Sequence, residues 1–316
     1  MVQKRSPHYF EVTLSQFFGM HSSFLTRSGS TAIIVAMQAN HVVPGKEVIV
    51  PASCCPIVLF SLQMAGYEVV LADVSASTLN CRAEDIKQKL SANTGAILAV
   101  HGYGRYCDIE AIVRLAQEHA IPVIEDACLA YGGQLKGRPL GGIANTSVIS
   151  FGYDKPISMG FGGAVLTNDS EVASRIPSIL GHNLFFQFQW LDRLDDLAHE
   201  FEKLPSYTSS RLRNIAWVHD KIVNPAFIKL DMQEQIPYWR YPVLINSSDR
   251  ARFLLFAQSR GQVFTHHYQS LGTMMTQSNV PVADEIGRQI LNIFVKSQTP
   301  NSQLIAMIET INEFEI

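Results

Sequence analysis

"GAILAVHGYGRYCDIEAIVRLAQEHAIPVIEDA", residues 95–127, decides the fold. It holds an apolar run (95–101), a stretch with apolar residues at helical spacing (109–120) and a second apolar run (121–127). Strand, helix and strand in that order make a unit of a mostly parallel sheet. The alternation extends both ways. Upstream, "EVIVPA" (47–52) and "YEVVLADV" (67–74) read as strands, with helices expected over "IVLFSLQMAG" (57–66) and 83–91. Downstream, "SVISF" (147–151) and "GGAVLTN" (162–168) continue the strands. Such sheets bind ligands at the carboxyl ends of their strands, which is where Asp126 and Lys155 fall.

Beyond residue 170 the pattern changes. A helix is expected over 191–204, a strand over "YWRYPVLIN" (238–246), a helix over 249–261, a strand-like run in "VFTHHY" (263–268) and a closing helix in "NSQLIAMIETINEFEI". At 316 residues the chain exceeds what one core usually supports. The expectation is an α/β fold: a large domain (15–225) and a small α+β domain made of 1–14 and 226–316. A composition 47% hydrophobic and 17% charged is that of a globular protein. A net charge of −3 without a basic run argues against nucleic-acid and anionic-membrane partners. No stretch is apolar for long enough to span a bilayer, and "MVQKRSPHYFEVTLSQF" lacks the apolar core of a signal peptide. Five cysteines (54, 55, 81, 107, 128), an odd number without C-x-x-C spacing, point to reduced thiols in the cytoplasm and to no zinc site. His266 and His267 are neighbours on an extended run and so face opposite ways, which leaves no metal expected.

Three features converge on one chemistry. "SGSTA" (28–32) opens an apolar helix with small residues, and backbone N–H groups at a helix N-terminus suit a phosphate. On its own the stretch reads first as an ordinary N-cap. Asp126, in "VIEDA", puts a carboxylate at the end of a buried strand, where it could pair with a protonated ring nitrogen or simply close a turn. Lys155, in "SFGYDKPISMGFGGAVLTND" (150–169), is a solvated lysine on spacing alone, or an amine held to form a Schiff base with an aldehyde. Phosphate cradle, ring-nitrogen partner and reactive lysine are together what pyridoxal 5'-phosphate requires.

The stretches "SGSTAI", "PGKEVIVPA", "GYEVVLADV", "VHGYGRYCDIEAI", "VIEDACLAYGG", "KGRPLGG" and "SFGYDKPISMGFGGAVLTND" run collinearly along the chain. In these the sequence resembles the DegT/DnrJ/EryC1/StrS family, fold-type I pyridoxal-phosphate enzymes that are mostly nucleotide-sugar aminotransferases. The resemblance implies Lys155 as the lysine that bonds the cofactor and moves the proton, and Asp126 as the partner of the ring nitrogen. It implies phosphate contacts from Gly29, Ser30 and Ser150. It implies a homodimer with shared active sites, in which Ser209 of "YTSSR" (207–211) reaches the neighbour's cofactor. It also brings His267 and Tyr268 toward the substrate. Arg240 is a further candidate for a substrate carboxylate, against a plain surface arginine on an edge strand. Family members with dehydratase activity carry histidine at the lysine position, so Lys155 favours amino transfer. The donor implied is glutamate or glutamine, and the acceptor a ketone, either a nucleotide-linked keto-sugar or a specialised-metabolite intermediate.

The departures lie where ring and substrate are gripped. Leu129 stands for a usual glutamine, Tyr131 for a histidine, Phe161 for a glutamate, and Cys55 for the aromatic that stacks on the ring. A long joining helix is expected to be shortened after Arg211. The aromatic-rich "FFQFQWL" (185–191) is expected to pack between the domains. These losses leave two alternatives open: other pyridoxal-phosphate chemistry such as elimination, or a non-catalytic binding or regulatory role.

Overall fold

The computed structural model describes residues 6–276 and 279–316. Its large sheet is built from β1 (Ser22–Thr26), β2 (Glu47–Pro51), β3 (Glu68–Ala72), β4 (Thr94–Val100) and β5 (Val123–Asp126). After a two-stranded hairpin, β6 (Gln134–Leu135) and β7 (Arg138–Pro139), come β8 (Thr146–Ser150) and β9 (Gly163–Thr167). The spatial order is β1-β9-β8-β5-β4-β2-β3. The five strands from β8 to β3 are mutually parallel, β9 runs antiparallel to β8, and β1 pairs antiparallel with β9 and so runs in the direction of the five. Strands β5, β8 and β9 are buried at every residue, as a sheet covered on both faces requires.

The covering helices are α1 (Pro7–Phe18), α2 (Gly29–Ala39), α3 (Pro56–Met64), α4 (Ala83–Lys87), α5 (Ile109–Glu118) and α6 (Ser170–His182). Helix α4 is shorter than the expected 83–91. Helix α1 and strand β1 carry no strong periodic signal in the sequence. Residues 1–5 of the expected small-domain segment lie outside the described residues. The rest of that segment sits with the large sheet: Phe10 and Leu14 of α1 share an apolar cluster with Phe151, Ala164 and Phe201. Phe10 meets Phe151 and Phe201 at ring separations of 6.0 and 5.6 Å.

The expected helix over 191–204 is a turn of 3-10 helix followed by α7 (Leu194–Glu202), and α8 (Leu204–Lys221) then starts afresh. Pro205 explains the break, because it has no N–H to donate to the preceding turn and is accommodated at the start of a helix. Where a shortened joining helix was expected, α8 runs for 18 residues. It places Leu204 in the cluster beneath α1, and Ile215 and Val218 in the C-terminal cluster.

That second cluster lies under a small antiparallel sheet of β10 (Phe227–Lys229), β11 (Tyr241–Ile245) and β12 (Ile290–Ile293), in the order β10-β11-β12. Around it are α9 (Ser247–Ser259), α10 (Leu271–Met274), α11 (Pro281–Gln289) and α12 (Asn301–Asn312). Helices α10 and α11 are tied to the large sheet: Asp73 accepts the Val282 and Ala283 N–H groups at the start of α11 (3.0 and 2.8 Å), and Leu271 N donates to Ala52 O.

The run 263–268 forms no strand and pairs only through a bridge between Thr265 and Asn292. Asn292 Nδ2 donates to His267 O at 2.7 Å, so a side chain takes the place of further ladder bonds. The aromatic run 185–191 does not pack between domains. It lies along β1, with Gln187 bridged to Thr26 and Arg27 N donating to Phe186 O.

Candidate active site

One cavity opens at the carboxyl ends of β2, β4, β5 and β8, lined from the ends of these strands and the loops after them, from the first turns of α2 and α3, and by Tyr268 from the C-terminal region. Gly29, Ser30, Cys55, Asp126, Leu129, Ser150, Lys155 and Tyr268, all singled out from the sequence, line this cavity. Sequence reasoning missed Ser53, Val100 and Cys128, which line it together with Cys54. Their signal was position alone, since each lies within three residues of the end of β2, β4 or β5.

The N-terminus of α2 forms one wall. Ser28 is its N-cap and accepts the Thr31 N–H, leaving the earlier N–H groups of the first turn available to a ligand. Gly29 is required there by close approach. A Cβ on it would stand 2.7 Å from Ser150 Cβ and 3.0 Å from Ser150 Oγ. Absence of a side chain thus brings the helix N-terminus against the hydroxyl of Ser150, a cradle of N–H and O–H groups with the chemistry a phosphate takes.

Two adjacent carboxylates at the end of β5 show what is satisfied and what is not. Glu125, fully buried, accepts from Gly141 N, Ile143 N, Ala144 N and Ser147 Oγ and pairs with His101 at 3.0 Å. Burial pushes its carboxyl up, but the hydrogen bonds from His101 and the backbone outweigh that and hold it below the usual value. Glu125 is a structural group. Asp126, 5% exposed, accepts the Cys128 N–H at 2.9 Å and has no salt bridge among the described residues. A buried carboxylate that lines a cavity and is ion-paired to no described residue is an acceptor that a protonated ring nitrogen would satisfy.

The departures have structural consequences. Leu129, Tyr268 and Trp239 form one apolar cluster with Cys55 packed against it. The Tyr268 ring lies parallel to Trp239 at 5.7 Å. Burial and the Cys55 thiol hold the Tyr268 phenol un-ionised. Where the stacking aromatic was expected, the wall is therefore a thiol backed by a tyrosine. Tyr131, fully buried, ties the ends of the Lys155 loop together: its hydroxyl donates to Ser150 O (2.9 Å) and accepts Ile157 N–H (2.9 Å). Phe161 stacks on Trp190 at 4.7 Å. Burial pushes the Cys54 and Cys128 thiols up, so neither is a ready nucleophile.

Three expected residues lie elsewhere. Ser209 is exposed on α8, its hydroxyl donating to Pro205 O. His267 turns from the cavity, and its Nδ1 accepts from Arg240 Nη1 at 2.8 Å. Burial and the Arg240 charge hold its imidazole below the usual value. Arg240 is neither a surface residue nor on an edge strand. It is 9% exposed, precedes the central strand of the small sheet, and lies between the faces of Trp239 and Phe294 (4.0 and 4.4 Å). Its Nε and Nη2 donate to Asp154 Oδ2 (3.1 and 2.6 Å). A guanidinium so occupied does not offer itself to a substrate carboxylate.

Comparison with known proteins gives a consistent picture. A model of the DegT/DnrJ/EryC1/StrS aminotransferase family matches residues 4–312. The GDP-perosamine synthase of Escherichia coli O157:H7 is 28% identical over 308 residues, 91% of this chain and 84% of that protein. A UDP-N-acetyl-3-dehydro-alpha-D-glucosamine 3-aminotransferase of Acidithiobacillus ferrooxidans is 27% identical over 306 residues, 90% of this chain and 81% of that protein. Among solved structures, an aminotransferase from Psychrobacter cryohalolentis superposes with a TM-score of 0.88 at 22% identity, over 96% of this chain and 90% of that one. NtdA from Bacillus subtilis, solved with its cofactor PMP bound, superposes with a TM-score of 0.88 at 21% identity, over 98% of this chain and 77% of that one.

Proposed function

The chain belongs to the DegT/DnrJ/EryC1/StrS aminotransferase family, and from that premise we propose that it moves an amino group from glutamate or glutamine to the keto group of a nucleotide-linked sugar. It is a pyridoxal-phosphate-dependent aminotransferase. The nucleotide-sugar acceptor is supported by the names of the two relatives, a GDP-perosamine synthase and an aminotransferase for a UDP-linked dehydro-sugar. The observation that carries the reading is the meeting of Lys155, Asp126 and the α2 N-terminus in one cavity.

When bound, pyridoxal phosphate supplies an aldehyde that takes up amines and a protonated ring that draws electrons from the neighbouring carbon–hydrogen bond. The chain's own residues do the rest. Gly29 N, Ser30 N and Ser150 Oγ would hold the phosphate, and Asp126 would keep the proton on the ring nitrogen. Lys155 Nζ would be the amine that holds the cofactor through its aldehyde, and it would take up and redeliver the donor's α-proton. Leu129, Cys55 and Tyr268 close one side of the cavity with apolar surface and exclude water there.

A homodimer completes the reading, with Ser209 serving the neighbour's site. Exposed apolar side chains support it: Ile57, Phe60 and Met64 on α3, with Leu184 and Phe185 beyond α6. The test is the near-ultraviolet and visible spectrum of protein with pyridoxal phosphate, wild type beside Lys155→Ala, followed by glutamate or glutamine and then GDP- or UDP-linked keto-sugars. A band in wild type alone, bleached by a donor and restored by a nucleotide keto-sugar, is the expected result. Restoration only by simple keto acids would overturn the sugar acceptor.

A further inference from the structure

Lys155 stands in a loop whose preceding residue is fastened at every polar atom. Asp154 Oδ2 takes two N–H groups of Arg240 (3.1 and 2.6 Å) and Oδ1 takes Lys296 Nζ at 2.7 Å. Its carbonyl accepts Trp239 Nε1, and its N–H donates to Ser158 Oγ at 2.8 Å. The partners Trp239, Arg240 and Lys296 flank β11 and β12, so the clamp comes from the C-terminal sheet and grips a loop of the large sheet. Arg240 has little freedom to let go, because Thr265 Oγ1 and His267 Nδ1 hold its Nη1 (2.9 and 2.8 Å) between two aromatic faces.

The backbone of Asp154 lies at φ 58°, in the left-handed region. Such a conformation persists where surrounding contacts over-determine it, and it sets the direction in which the chain leaves toward the next residue. That next residue is Lys155. The ends of the loop are already stapled through Tyr131, so the tip is the part the clamp decides.

We propose that Asp154 is a positioning residue for Lys155: its carboxylate, locked between Arg240 and Lys296, aims the Lys155 amine into the cavity that holds Asp126. The inference rests on Lys155 as the reacting amine. It also assigns Arg240 and Lys296 to the enzyme's own carboxylate and leaves recognition of the donor carboxylate to other groups. The C-terminal sheet thereby enters the reaction without lining the cavity through Arg240 or Lys296.

Two substitutions keep the left-handed conformation and remove the charge. Asp154→Asn is isosteric, and Asp154→Gly leaves a space of carboxylate size between two cations, open to added formate. The readouts are the rate at which borohydride fixes pyridoxal phosphate on Lys155, followed by peptide mass, and kcat and KM for glutamate. Reductive methylation of Lys155 by formaldehyde and borohydride needs no cofactor and reports the same amine. Fixation, methylation and kcat are expected to fall roughly 10- to 100-fold in both variants, the scale of a misaimed reacting group, with KM for glutamate little changed. Formate is expected to restore Asp154→Gly. Lys296→Met, which removes one cation at a half-exposed position, is expected to give a smaller fall in the same direction. Wild-type rates in Asp154→Asn, or losses that follow a fall in melting temperature and ignore formate, would overturn the proposal. A wild type that takes up no pyridoxal phosphate would sink the cofactor reading instead, and the methylation rates would still decide the role of Asp154.

Discussion

Replacing Gly29 by alanine tests the phosphate cradle directly. The added Cβ would lie 2.7 Å from Ser150 Cβ, 3.0 Å from Ser150 Oγ and 3.3 Å from Cys128 Sγ. Carbon atoms in contact sit at about 3.5–4.0 Å, so the end of β8 and the start of α2 must separate by roughly 1 Å. Overpacking of this kind costs about 1–3 kcal/mol. The better helix propensity of alanine returns at most about 1 kcal/mol, since Gly29 is the first helical residue. If the cradle opens, the cost falls on phosphate affinity, and each 1.4 kcal/mol is a factor of ten in Kd. The expected loss is therefore about 5- to 100-fold for pyridoxal phosphate, measured by calorimetric titration. Pyridoxal without the phosphate should bind the variant nearly as it binds wild type. Adding Ser150→Gly removes the Cβ that is struck and should return the melting temperature, while Ser150→Ala should not; neither returns the phosphate affinity, because both remove Ser150 Oγ. Equal losses for pyridoxal and its phosphate, or an unchanged Kd with unchanged melting temperature, would refute the reasoning.

Further expectations concern the core, the cavity wall and the clamp. Phe10→Ala empties a fully buried position between Phe151 and Phe201 and should cost about 3–5 kcal/mol in denaturant unfolding; a loss below about 1 kcal/mol would show that α1 is not part of the core. Cys55→Phe restores an aromatic, but into a wall already occupied by Tyr268, Trp239 and Leu129, so stability should fall by about 1–3 kcal/mol and cofactor binding should not improve. Burial pushes the Asp154 carboxyl up, while Lys296 and Arg240 pull it further down, below the usual carboxylate value. A carboxyl depressed in the folded state contributes stability that is present above its unfolded pKa, about 3.9, and is lost as pH falls through the folded value. The melting-temperature gap between wild type and Asp154→Asn should thus be full near pH 6 and shrink toward pH 3. A gap that does not change with pH would place its origin in packing and not in charge.

Much of the site was legible because its parts are short and local. Apolar runs of strand length alternating with helical spacing told where β4, α5 and β5 lie, and the carboxyl end of each strand told where a ligand would sit. "VIEDA" and the lysine after β8 each fall at such an end, so their convergence needed only the parallel order of the strands, while "SGSTA" entered as the opening of a helix. The resemblance added the family and the phosphate role of Ser150. What escaped has a common cause. Arg240 looked exposed because a charged residue beside a strand says nothing about which carboxylate it will meet, and its partner is 86 residues away. Residues 6–14, expected in the small domain, pack with the large sheet, because a segment without a strong periodic signal does not show what it will be buried against.

The sequence by itself determined the α/β class, the strands of the parallel sheet and the candidates "SGSTA", Asp126 and Lys155, since periodicity and turn chemistry act over a few residues; Ser150 came from the resemblance. Only the tertiary structure decided that Tyr268 backs Cys55, that Tyr131 staples the lysine loop, and that Arg240 and Lys296 hold Asp154. Those contacts join segments far apart in the chain. They form because the sheets and α8 fix the distances between them, and ion pairs and ring contacts depend on distance and angle, which no local pattern encodes.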